Sequence, residues 1–170
     1  GPFAAGKTTF IQTVSEIPVV STETAATDGA DVKDHTTVTM DFGKISVTDE
    51  DLLMELYLFG TPGQARFDFM WEILSKGMLG YVLLVDAAQP ETWAAAADIK
   101  RKFDETVNVP VVVAANRASG EELTLMRSAL RLAPSVPVLA CQANDKESVK
   151  QVLLTLLIGV VEELENSVTE

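Results

Sequence analysis

The chain opens on Gly1-Pro2-Phe3-Ala4-Ala5-Gly6-Lys7-Thr8-Thr9, which fits G-x-x-x-x-G-K-[ST], the phosphate-binding P-loop. No other stretch constrains the fold as tightly, because this spacing asks for a tight loop that runs straight into a helix. The glycines let the backbone wrap, so that the N–H groups of Ala4, Ala5, Gly6, Lys7, Thr8 and Thr9 face phosphate oxygens. Lys7 brings an ammonium to the β- and γ-phosphates, and the Thr8 hydroxyl is a ligand for Mg²⁺. The positive end of the helix dipole faces the same anion. A Gly-Pro tag remnant followed by an ordinary helix start is the plainer alternative. A P-loop also needs a strand ahead of it, so the sequence predicts a short apolar strand upstream of Gly1.

A length of 170 residues suits one domain, and neither an internal repeat nor a linker divides 1–170. The formal charge of -12 argues against nucleic acid and anionic membrane as general partners. A single cysteine, Cys141, rules out an internal disulfide and excludes no compartment; a cytoplasmic chain is the expectation. The longest apolar run, from Val152 to Val161, is broken by Thr155 and Gly159 and is too short for an integral membrane segment. The ending Asn166-Ser167-Val168-Thr169-Glu170 carries no lipidation signal.

Along the chain, a helix is expected from Lys7 to about Glu16, closed by Pro18, and then a long aperiodic loop from Val20 to Thr37. Val38, Met40 and Phe42 alternate with polar residues, Ile45 and Val47 continue, and Asp49-Glu50-Asp51 turns into a strand from Leu52 to Phe59. Asp41-Phe42-Gly43 reads as strand and bulge. A turn-rich loop, Gly60 to Gln64, precedes a helix marked by Phe67, Met70, Trp71 and Leu74. Apolar runs at Tyr81–Val85, Val109–Ala115 and Val136–Cys141 read as buried strands. They alternate with helices at Glu91–Val107, Glu121–Ala133 and Glu147–Glu165. Such alternation predicts a doubly wound α/β sheet, mostly parallel, with helices on both faces and ligand at the carboxyl ends of the strands.

This order of motifs resembles the Ras-like P-loop small GTPases. Gly1 to Thr9 together with Phe59-Gly60-Thr61-Pro62-Gly63-Gln64 is most similar to their prokaryotic branch, the conservon-type GTP-binding proteins and the gliding-motility GTPase. The resemblance implies GTP/GDP and Mg²⁺ as ligands, loops that change order when the γ-phosphate leaves, and a roadblock-type protein as partner. Carried over by position, Thr37 reaches Mg²⁺ and the γ-phosphate, Gly63 donates its N–H to that phosphate, and Gln64 orients the attacking water beside Lys7. Thr36 is the neighbouring alternative, and a strand-start threonine and a turn glutamine without a role are the plain ones. Cys141-Gln142-Ala143 falls where the family's Ser-Ala-Lys loop meets the base, or is an ordinary strand-to-helix connection.

Three departures bear on function. Gly60 stands where the family's D-x-x-G has its aspartate, which weakens the hold on metal. Asp86, after an apolar strand, is a candidate replacement, and a cap for the next turn is its plainer role. The family's N-K-x-D reads Asn116-Arg117-Ala118-Ser119, so a serine replaces the carboxylate that accepts from guanine. Phe3 replaces a frequent glycine and is expected to crowd the γ-phosphate. His35, the sole histidine, reads as solvated. The expected function is a guanine-nucleotide switch with slow hydrolysis. A pseudo-GTPase with relaxed base specificity is the first alternative, and a small P-loop kinase is the second.

Overall fold

The computed structural model describes residues 1–25, 37–49, 52–61 and 74–168. The helix expected over 67–74 falls almost wholly outside these, as do Gly63, Gln64 and His35.

The first helix, α1 (Lys7–Val14), buries Phe10, Ile11 and Val14. It packs on a three-stranded antiparallel sheet in the order β1 (Val20–Ala25), β2 (Thr37–Asp49), β3 (Leu52–Gly60). β1 corrects the expected loop. Val20, Thr22 and Thr24 are β-branched, and a free ladder on β2 captured this polar segment although it lacks an apolar stripe. The hairpin itself is as expected, with Asp41 opposite Gly60, Phe42 opposite Phe59 and Ile45 opposite Leu56. The register runs unbroken through Gly43 and Leu58, so the expected bulge is absent. Gly43 serves close approach instead, since a Cβ there would lie 2.5 Å from Ile11 Cγ2 of α1.

The second sheet is parallel, in the order β4 (Tyr81–Asp86), β5 (Val111–Asn116), β6 (Val138–Cys141). Its connections contain α2 (Trp93–Thr106) and α3 (Glu122–Ala129), and α4 (Lys146–Val168) closes the described chain. Strand alternation sorts the core into two layers. Leu84, Val112 and Ala114 pack with Phe10 and Val14 of α1 and Val149, Val152 and Leu153 of α4. Leu83, Val85, Val113 and Ala115 pack with Trp93 and Ala96 of α2 and Met126 of α3. Helices therefore cover both faces. The expected parallel sheet is present, and among the described residues it is matched by an antiparallel sheet of three strands.

Among the described residues β3 and β4 are not paired with each other. A cavity of about 600 Å³ lies between them, lined by Leu56 and Leu58, Val82 and Leu84, Phe10 and Leu156. Among the described residues no helix is long and apolar enough to cross a membrane.

Candidate nucleotide site

Ala4 and Gly6 take left-handed conformations, φ 61° and 102°, which curl the first residues into a loop ahead of α1. For Gly6 the absence of a side chain is required twice. Its φ is costly for any L-residue, and a Cβ would lie 2.5 Å from Asn116 Nδ2. Gly6 caps α1 and has no side chain with which to claim its first amides. The motif predicts that these amides face an anion.

Lys7 folds back over the loop, its Nζ donating to the carbonyls of Gly1 at 2.8 Å and Pro2 at 2.6 Å. Burial lowers its pKa to about 8, and Asp41 pulls in the opposite direction. Thr8 donates its hydroxyl to Asp41 at 2.5 Å. Thr9 is exposed, and its carbonyl accepts from the Thr13 hydroxyl. Phe3 is 74% exposed.

Asn116, at the end of β5, is buried and ties the loops together. Its Nδ2 donates to the Ala5 carbonyl at 2.9 Å, and its Oδ1 accepts from the Ala143 N–H at 3.0 Å. The Ala143 carbonyl in turn accepts from Thr13 of α1, and the Cys141 carbonyl accepts from the Arg117 N–H. The expected base-side segments thus meet behind the P-loop, with Asn116 as their tie. Cys141 is buried, which raises its thiol pKa, and Gln142 lies exposed with its N–H on Ser148 Oγ.

Asp86, the candidate replacement on the metal, accepts at its carboxylate from the Ala88 N–H at 3.0 Å and pairs with the Arg117 guanidinium, bonds that belong to its plainer turn-capping role. Arg117 itself has φ 62°, and its side chain is half exposed. The Ser119 hydroxyl donates to both oxygens of Glu122, which also accepts the Ser119 N–H. These bonds, with one from the backbone N–H of Glu122, hold that carboxyl below its ordinary pKa. Thr37 begins β2 opposite Ala25.

Asp41 is the residue that motif reasoning missed. It is buried on the inward face of β2 in register with Gly60. The signal was the change of phase within the strand. Ile45 and Val47 share the parity of Asp41, which assigns the acid to the inside, whereas Val38, Met40 and Phe42 share the opposite one.

A family described as "Conserved hypothetical ATP binding protein" has a model that matches residues 18–124, from just after α1 to the start of α3. The chain belongs to this family. It is similar to the Ras-related protein Rab-3D of Homo sapiens, 28% identical over 137 residues, covering 77% of the chain and 63% of Rab-3D. It is also 36% identical over 53 residues to an uncharacterized protein of Methanocaldococcus jannaschii, covering 31% of the chain and 32% of that protein. The chain thus spans less than two thirds of each of these relatives. Motif, α/β fold and membership of the ATP-binding-protein family agree on a nucleotide-binding protein of the P-loop class.

Proposed function

We propose that the protein is a guanine-nucleotide switch. It binds GTP and GDP with Mg²⁺, hydrolyses GTP slowly, and passes its state to a partner protein, with a roadblock-type protein as the first candidate. The observation that carries the reading is the junction at Asn116, which draws Ala5 of the P-loop and Ala143 of the β6–α4 loop onto one amide. Such a junction brings a phosphate cradle and a base pocket into register. The similarity to Rab-3D adds weight.

In this reading Lys7 swings from the Gly1 and Pro2 carbonyls to the β- and γ-phosphates, exchanging neutral acceptors for charged ones. Mg²⁺, when bound, neutralises the oxygens between the β- and γ-phosphates. Gln64 orients the water, and Gly63 and Thr37 engage the γ-phosphate. Arg117, Ser119 and the Cys141–Ala143 loop line the base. Phe3, whose ring is exposed, lies beside the γ-phosphate in this reading and limits how closely Gln64 can approach it.

A second reading, relaxed base specificity, has its own support. The Ser119 hydroxyl spends its proton on Glu122, no carboxylate occupies the Ser119 position, and the family is described by ATP. Competition of GDP and ADP for one fluorescent nucleotide decides between the two. A preference for GDP above about a hundredfold supports the guanine switch, and near-equal competition supports the alternative. Failure of both nucleotides to compete removes both readings.

A further inference from the structure

We propose that Asp41 is the carboxylate that holds the divalent cation beside Thr8, moved across the hairpin from β3 to β2. The inference rests on the nucleotide reading above and names the metal-holding residue that Gly60 fails to supply.

The hairpin register carries the first part. Asp41 and Gly60 are direct partners on neighbouring strands, so their side-chain positions lie on one face. A Cβ at Gly60 would lie 3.1 Å from Asp41 Cβ, 3.3 Å from Asp41 Oδ2 and 2.9 Å from Ile11 Cδ1. The volume that a side chain at 60 would enter therefore borders the Asp41 carboxylate itself. The two positions are alternatives for one carboxylate, and the glycine on β3 is the counterpart of the acid on β2.

The second part is the company Asp41 keeps. It is only 5% exposed, a costly place for a carboxylate, yet it meets the hydroxyl of the P-loop threonine and counters the burial of Lys7. Thr8 and Asp41 together offer hard oxygen donors beside the phosphate cradle. Mg²⁺ characteristically takes one or two carboxylates and fills its shell with water and phosphate oxygens, which this pair permits. Asp86 is already committed to Arg117 and the Ala88 N–H, so it does not compete for the role. A plainer role for Asp41, accepting from Thr8 and offsetting Lys7, involves no cation and is separable by experiment.

The test measures GDP affinity by calorimetry in EDTA and in Mg²⁺, with ADP as the probe if wild type prefers it. Wild type should gain affinity from Mg²⁺. Asp41→Asn should bind nucleotide in EDTA at least as well as wild type but lose about tenfold or more of the Mg²⁺ gain. Asp41→Gly with Gly60→Asp should recover it, because the carboxylate returns from the other strand. Mn²⁺ bound per nucleotide complex, counted by electron paramagnetic resonance, should fall and recover in the same order. A folded Asp41→Asn with its full Mg²⁺ gain overturns the inference, as does wild type whose affinity ignores Mg²⁺. Either leaves the nucleotide reading standing, whereas wild type that binds neither nucleotide in either buffer removes both. If Asp41→Asn does not fold, the double variant decides alone. Recovery of the gain supports the exchange, and intact binding in EDTA without the gain refutes it.

Discussion

At the scale of single residues, Lys7 is poised by its surroundings. Burial lowers its folded pKa to about 8 from an ordinary 10.5, so between those values the unfolded chain binds more protons than the folded one. Stability from this group therefore rises with pH across that window and is lowest below it. A bound phosphate restores the charged form, so nucleotide binding near pH 8 should take up about half a proton. Calorimetry in buffers of different ionisation enthalpy measures that uptake. It should vanish in Lys7→Met, and an equal uptake in that variant would mean that another group titrates. Gly6→Ala should cost roughly 2 kcal/mol, from its positive φ and from the collision with Asn116, and most of the nucleotide affinity with it. Denaturant melts with and without GDP separate the two losses. The P-loop was legible because each of its residue types answers one requirement of a phosphate. The role of Asn116 was legible only as a position. Its two bonds tie Ala5 to Ala143, a contact between segments far apart in the chain that no local pattern announces.

Among the elements, the buried strands β4 and β5 and the helices around them followed from apolar runs and periodicity, since burial on both faces leaves an unmistakable composition. β1 did not, because an edge strand on an antiparallel sheet requires backbone pairing and little apolar burial. The short aperiodic stretch from Val20 gave no cue beyond its β-branched residues. The elements converge at the Asn116 tie, where β5, the P-loop and the β6–α4 loop depend on one amide. Asn116→Ala leaves the Ala143 N–H and the Ala5 carbonyl without this buried partner, and should cost about 3 kcal/mol. Urea unfolding measures it. Asn116→Asp, which keeps the acceptor for Ala143 but loses the donor to Ala5, should weaken nucleotide binding beyond its effect on stability.

Across the whole molecule, the two half-sheets meet through side chains. Phe10 and Val14 of α1 join Ile45 of the first sheet to Leu84 and Val112 of the second, with Val149 and Val152 of α4 behind them. The cavity between β3 and β4 has apolar walls and, among the described residues, two strand edges without a partner strand, which suits one more strand. Five apolar β-branched residues placed ahead of Gly1 should pair with both edges. They should raise the melting temperature by about 3 °C for each kcal/mol gained. A Gly-Ser segment of the same length should not, and equal melting of the two extensions would show that the slot does not take a strand. The same division sets an order of assembly. β2 and β3 are two residues apart in the sequence, whereas β4, β5 and β6 must close helical crossovers before any ladder forms. If the hairpin forms first, its Leu52–Gly60 edge is open to other chains meanwhile, and the refolding yield should fall as protein concentration rises.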